Sequence, residues 1–373
     1  MIERQLKVNI QKRLGSKAII LLGPRQVGKT TLIESLLKPF ATETLFLSGD
    51  DSEVRNILDN INTARLKGLI GTKKYLFIDE CQRINNIGLT AKIITDQIKT
   101  CQVILSGSST FEMNEQIKEP LTGRKWTFSL LPISYQEWEN HIGYLEAHSS
   151  LPNRLVFGFY PEVITNTQDQ EIILKELVDS YLFKDILLYA NLKKSDAILK
   201  LTQAIAYQVG SEVNYNELSK LLGIDSKTVS HYIDVLEKAF IVFRLNSYAT
   251  NQRNELKKGM KIYFYDNGVR NAIIKNYNDV TNRNDVGQLW ENFLIVERLK
   301  QNTYHNSHAA MHFWRTTQHQ EIDYVEVNTN QIHAYEFKYS PTQKAKFSKT
   351  FTNQYQSSNQ VIHRDNFREF VMG

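Results

Sequence analysis

The sequence predicts an α/β protein, with a parallel sheet covered by helices on both faces, followed by smaller helical and α/β parts. Two observations carry this expectation. Between residues 17 and 134, short apolar runs alternate with segments of helical spacing, the rhythm of strand–helix–strand units. Beyond about residue 150 that rhythm stops and other patterns replace it.

The apolar runs are Ala18–Leu22, Thr44–Leu47, Tyr75–Ile78, Gln102–Leu105 and Thr127–Leu131, with TTLIESLLK and LTAKIITDQIK supplying helices between them. Residues 154–209 read as helix without a strand signal, as in EIILKELVDSYLFKDILLY. Residues 212–265 read as helix, helix, hairpin. From about 285 the helix QLWENFLIVERLK precedes the short strands MHFWR, IDYVEV and IHAYEFK. These changes divide the chain into 1–150, 151–210, 211–280 and 281–373.

Composition narrows the class. Of the 373 residues, 42% are apolar and 23% charged, which suits a globular protein. No run reaches the eighteen apolar residues of a membrane helix, and MIERQLKVNIQKRLG lacks the apolar core of a signal peptide. Cys81 and Cys101, both in apolar surroundings, read as reduced core residues, so a cytoplasmic protein is expected. The net charge of +5 permits a nucleic-acid partner without requiring one.

The sharpest local signal is Gly23-Pro24-Arg25-Gln26-Val27-Gly28-Lys29-Thr30, which fits G-x-x-x-x-G-K-[ST] between an apolar strand and a helix. Glycines let the backbone curl so that successive N–H groups face a phosphate, and the helix N-terminus adds partial positive charge. Gly23 to Thr31 are therefore expected to hold ATP. Lys29 would neutralise the terminal phosphates and the Thr30 hydroxyl would ligate Mg²⁺.

The strand YLFID then ends in Asp79 and Glu80, where ligands of parallel sheets bind. Asp79 is expected to hold Mg²⁺, and Glu80 to polarise an attacking water. Two solvated carboxylates would be the plainer reading. Ser106, Ser108 and Ser109 end the next strand, and Ser106 is the candidate to orient that water; a serine-rich turn is the alternative. Arg124 is the candidate for an arginine serving transition-state charge, in this chain or across a subunit boundary.

GPRQVGKTTL, FIDECQRI, ILSGSSTFEM and LTGRKWTFSLLPISYQEW together resemble the AAA-like ATPases of bacteria and archaea that carry a C-terminal domain of unknown function. GFYPEVI and SYLFKDIL are similar to linker segments of that family. The resemblance implies a five-stranded AAA-type sheet, with Lys29, Asp79 and Glu80 in the family's roles.

Two further modules follow. NELSKLLGI and SKTVSHY have helix–turn–helix form, with Gly223 in the turn and Ser226 able to cap the second helix. A wing follows in AFIVFRLNSY and KKGMKIYFYD. In a DNA-binding version, Lys227, Thr228, Ser230 and His231 would face the major groove, and Lys257, Lys258 and Lys261 would contact phosphates. A packing or protein-contact module is the alternative.

In the last segment Asp323 precedes Glu336-x-Lys338, whose side chains share one strand face. Asp323 and Glu336 could hold Mg²⁺ or Mn²⁺, Lys338 could orient a water, and Glu291 could add a carboxylate. The arrangement resembles the PD-(D/E)XK nuclease core, the restriction-endonuclease-like fold, with Ile322 in place of its proline. His305, His308, His312 and His319 lack zinc-site spacing. The leading expectation is an ATPase coupled to a DNA-binding, nuclease-like module, in an assembly that could be homo-oligomeric. The competing one is a nucleotide-dependent regulatory switch with a non-catalytic C-terminal module.

Overall fold

Strand β1 (Ala18–Leu22) is AIILL, and all five side chains are buried. Such a strand belongs at the centre of a sheet covered on both faces. In the computed structural model it lies between β4 (Gln102–Gly107) and β5 (Lys125–Ser129). The described residues are 1–59, 61–108, 120–179, 195–249, 259–329 and 331–373. They group into two compact units, Met1–Pro132 with Lys238–Phe240, and Ile133–Glu237 with Ile241–Gly373.

The first unit's sheet is completed by β2 (Thr44–Ser48) and β3 (Tyr75–Asp79), in the order β2-β3-β4-β1-β5. Every pairing is parallel. The two outer strands, TLFLS and KWTFS, are only half-buried, as edges should be. Helix Lys29–Leu37 turns Leu32, Ile33, Leu36 and Leu37 inward, and Ile87–Gln97 turns in Ile87, Ala91 and Ile94. Parallel pairing brings Leu22, Asp79 and Gly107 to one end of the sheet. The fifth strand begins two residues before the apolar run that signals it. Leu130 has left the strand there: its N–H bonds the Leu22 carbonyl at 2.7 Å while its own carbonyl lies against Gly23.

The second unit begins with helices. Ser134 and Glu137 form a reciprocal capping box for Tyr135–Ile142. Tyr144–Phe157, Pro161–Thr165, Gln170–Val178 and Ser195–Tyr207 follow. The segment SYLFKDIL lies outside the described residues.

Next come β6 (Glu212–Val213), helices Tyr215–Leu222 and Ser226–Lys238, β7 (Val242–Ser247) and β8 (Met260–Phe264). Gly223 takes the left-handed conformation that ends the first of these helices, at φ 64°. The second is capped by Asp225 rather than Ser226, because Asp225 precedes the first helical residue and accepts both the N–H and the hydroxyl of Thr228.

Helix Val286–Tyr304 then leads to β9 (Ala310–Arg315), β10 (Glu321–Asn328) and β11 (Gln331–Phe337), an antiparallel meander. Helix Lys349–Gln354 precedes β12 (Ser357–Ile362), which runs parallel to β11. The hairpin and the C-terminal strands share a single seven-stranded sheet, β12-β11-β10-β9-β7-β8-β6, joined by parallel pairing of Asn246 and Ser247 with His312 and Phe313. Trp314, Ile322, Val325, Ala334, Phe351 and Tyr355 fill one core of this unit.

Candidate functional site

The loop after β1 curls because two glycines allow it. A Cβ on Gly23 would sit 2.0 Å from the Leu130 carbonyl oxygen, so no side chain fits there. Gly28 is open on all sides but has φ 88°, a conformation costly for any side-chain-bearing residue. Helix Lys29–Leu37 starts directly after it, and its N-terminal N–H groups and partial positive charge face the loop. Arg4, buried, donates to the carbonyls of Val27 at 2.8 Å and Leu131 at 2.5 Å, tying the loop to the segment after β5.

Lys29 is buried within this loop, donating to the carbonyls of Gly23 at 2.9 Å and Pro24 at 2.7 Å. Burial lowers its pKa to about 8, although the nearby carboxylates of Glu80 and Asp79 pull it upward. Asp79 is the point where the elements meet. Its Oδ2 accepts the Thr30 hydroxyl at 2.6 Å, and its Oδ1 accepts the Ser106 hydroxyl and the Glu80 N–H. A helix start and the carboxyl ends of β3 and β4 thus converge on one carboxylate.

Glu80 has left-handed backbone angles, φ 44° and ψ 41°. Its Oε2 accepts Gln82 Nε2 at 2.5 Å and the Ser108 hydroxyl at 3.3 Å. Gly49, at the end of β2, makes its close approach here: a Cβ would lie 2.3 Å from the Glu80 carbonyl oxygen. The expected Ser109 lies outside the described residues.

Arg124 is elsewhere. It immediately precedes β5 at the amino end of the sheet, where its carbonyl accepts the Ala18 N–H, and it pairs with Asp96 at 2.7 Å. The length of β1, roughly 16 Å at the usual rise per residue, separates it from the loop of its own chain. A role in its own nucleotide site is therefore corrected; action on a second copy and a surface pairing with Asp96 are left.

In the second unit, Glu291, Asp323, Glu336 and Lys338 come together. The Lys338 ammonium lies 3.0 Å from Glu336 and 3.5 Å from Asp323. Asp323 also accepts the Phe337 N–H at 2.8 Å. Burial, with the Asp323 carboxylate beside it, raises Glu336 to about 7, despite the opposing pull of Lys338. Glu291 instead accepts from Lys261 at 3.0 Å and from the Tyr263 hydroxyl at 2.6 Å. Among the described residues no three His, Cys, Asp or Glu groups gather in a metal-binding arrangement. Through its Oε1, Glu291 is the partner of a buried lysine and tyrosine, where the sequence predicted a metal-site carboxylate.

Lys261 requires the matching correction. It is 1% exposed and pairs with both Glu291 and Glu321, so it cannot contact a phosphate from the wing. From Lys261 to Phe264 every residue of β8 is buried, so the strand is covered on both faces, which composition alone does not reveal. Lys257 and Lys258 lie outside the described residues. Lys227 and His231 are exposed on helix Ser226–Lys238, while Thr228 and Ser230 are half-buried.

Two residues near the loop escaped the sequence reading, Arg4 and Gln82. Each acts through a contact with no local pattern. Residues 15–139 match the AAA domain family. The solved Walker-type ATPase of Pyrococcus abyssi aligns with a TM-score of 0.52 at 14% identity, over 74% of this chain and 96% of that one. Residues 15–139 form an AAA-type P-loop domain.

Residues 148–280 and 286–370 match two domains of unknown function, DUF8612 and DUF4143. An uncharacterized protein of Haemophilus influenzae is 26% identical over 240 residues, covering 61% of this chain and 58% of its own length. The chain thus spans little more than half of that relative. One from Methanocaldococcus jannaschii is 22% identical over 347 residues, covering 87% of this chain and 75% of its own. The AAA-type domain is therefore followed by a DUF4143 domain, in an order matching the resemblance. No helix among the described residues is long and apolar enough to cross a membrane.

Proposed function

We propose that this protein binds ATP with Mg²⁺ and hydrolyses it at the loop formed by Gly23 to Thr31. The observation that carries this reading is the 2.6 Å bond between the Thr30 hydroxyl and Asp79, with Lys29 in the same loop and Glu80 next in sequence. A hydroxyl and a carboxylate are hard oxygen donors, and together they suit Mg²⁺. Bound there, Mg²⁺ would neutralise phosphate charge.

Loop N–H groups would cradle the phosphates and Lys29 would supply the counter-charge. Glu80 would take the proton from a water whose oxygen bonds to the γ-phosphorus as the bond to the β–γ bridging oxygen breaks, leaving ADP and phosphate. Lys29→Ala should abolish tight ATP binding. Unchanged nucleotide affinity in that variant would remove the basis of this reading.

For the second unit we propose an ATP-coupled, nuclease-like module that acts on DNA. Its helix, three-stranded meander, helix and parallel strand follow the order of a restriction-endonuclease-like core, and the helix–turn–helix with β6, β7 and β8 follows that of a winged helix. Asp323 and Glu336 lie close enough to Lys338 to share one cation, which fits a two-carboxylate Mg²⁺ or Mn²⁺ site without Glu291. Lys227, Thr228, Ser230 and His231 remain the face for DNA. Cleavage lost in Asp323→Ala with ATP turnover kept would support this. Salt-independent ATP turnover, no DNA binding and no cleavage would favour the regulatory switch, in which Lys338 simply neutralises the pair.

Cys81 and Cys101 are buried and neither forms a disulfide among the described residues, which suits a reducing compartment and a cytoplasmic setting. Arg124 would act on the nucleotide of a second copy in a homo-oligomer.

A further inference from the structure

We propose that Gln82 is a positioning residue that holds Glu80 in the orientation needed to activate water. This rests on the hydrolytic reading above and adds to it a residue outside the two phosphate-site motifs. The side chain of Gln82 is 3% exposed, as is Ser108. Gln82 Nε2 donates to Glu80 Oε2 at 2.5 Å and to Ser108 Oγ at 3.1 Å, and the Ser108 hydroxyl lies 3.3 Å from the same Oε2. Three side chains therefore close a small ring around one carboxylate oxygen. The other oxygen, Oε1, accepts no hydrogen bond from the described residues and is the one able to take a proton.

The orientation of the amide is decided by the carboxylate. Gln82 Oε1 is buried with no hydrogen-bond partner among the described residues. Turning the amide over would give that oxygen no better company, since it would then face the Glu80 carboxylate. A glutamine serving only to knit the fold would use both ends; this one gives up its acceptor so that its donor can serve Glu80.

The support beneath it is firm. Gln82 lies in the short turn Cys81–Arg83, whose neighbours Cys81 and Ile84 are fully buried. Arg83 N–H bonds the Glu80 carbonyl at 3.1 Å, and Gly49 packs against that carbonyl. The backbone of Glu80 is thus held from one side and its carboxylate from the other. Among the charges acting on Lys29, Glu80 has the largest influence, ahead of Asp79.

The test is steady-state ATP turnover and ATP affinity of the full chain for wild type, Gln82→Met, Gln82→Glu, Ser108→Ala and Glu80→Gln, with the Gln82→Met/Glu80→Gln double variant. Gln82→Met keeps the length of the side chain and removes the donor. Turnover should fall about tenfold or more, the scale of misplacing a catalytic group, with ATP affinity within about twofold of wild type by the same reasoning. Gln82→Glu should lose more, because it sets a second carboxylate beside the first. Ser108→Ala, which leaves the turn intact, should lose less and covers the case in which a Gln82 variant folds poorly.

In the Glu80→Gln background, Gln82→Met should cost nothing further, since residues acting through one group are not additive. Normal turnover in Gln82→Met, equal losses of turnover and affinity, or an additive double variant would each overturn the proposal. A wild type without turnover would remove the hydrolytic reading itself. A wild type that turns over, and stops in Glu80→Gln, leaves Gln82 as the only question.

Discussion

Lys29 and Glu336 are both displaced from their ordinary titration ranges, and each displacement has a measurable sign. Lys29 titrates near 8 because burial outweighs the carboxylates beside it. Phosphate oxygens placed against it would raise that value, so ATP binding above pH 8 should take up protons. Calorimetry at pH 8.5 to 9 in buffers of different ionisation enthalpy reads this directly. Uptake should be present in wild type and absent in Lys29→Arg; no uptake in wild type would mean that the lysine does not meet the phosphates.

Glu336 runs the opposite way. Its carboxyl is raised to about 7, so the folded state binds a proton that the unfolded chain has already lost. The stability it contributes is fully present below the usual carboxylate range near 4.5 and is lost as pH rises through about 7. Glu336→Gln should therefore raise the melting temperature by a few degrees at pH 8, roughly what 1 kcal/mol yields, and change it little at pH 4.5. A loss of stability at pH 8 would mean that the Lys338 pair outweighs the burial of the charge.

At the scale of elements, the lysine of β8 separates two readings of the hairpin. Burial alone would lower the Lys261 pKa, but Glu291, Glu321 and Asp323 outweigh it and raise it. Removing one partner of a buried ion pair leaves the other charge uncompensated, a loss of about 3 to 5 kcal/mol. Lys261→Ala should therefore shift the denaturant midpoint strongly. A stable variant whose only defect is weaker, less salt-dependent DNA binding would restore Lys261 to the phosphate-contacting wing.

What could be read from the sequence follows the same division. The phosphate loop and YLFIDE were legible because each motif is contiguous and lies at a strand end. Helices Tyr215–Leu222 and Ser226–Lys238 were legible because their apolar residues repeat at helical spacing. Glu291, Asp323, Glu336 and Lys338 were legible as a group, but the capture of Glu291 by Lys261 and Tyr263 was not. That capture depends on helix Val286–Tyr304 packing against β8, where Asn292 exchanges hydrogen bonds with the Phe264 backbone at 2.8 and 3.0 Å, a long-range contact for which neither element carries a local mark. Arg4 and Gln82 were missed for the same reason, since their partners are chosen by the fold rather than by spacing.

For the whole molecule, the ends of the first sheet assign different roles. The carboxyl end carries Lys29, Asp79 and Glu80, while Arg124 is at the amino end beside Asp96. If Arg124 serves a second copy, Arg124→Ala should keep ATP binding and lose turnover, and mixing it with Glu80→Gln protein should restore part of the activity. Mixed assemblies no more active than either variant alone would rule out action between copies. An Arg124→Ala protein with full turnover would make its pairing with Asp96 a surface contact.

The central claim is that one carboxylate, Glu80, activates water beside a phosphate loop built around Lys29 and Asp79. Its most direct measurement is ATP turnover of wild type and Glu80→Gln at saturating ATP, with nucleotide affinity determined on the same preparations. The account predicts that the variant binds ATP as wild type does and turns over slower by roughly a hundredfold or more, the scale of lost general-base catalysis. Equal turnover in the two proteins would contradict it.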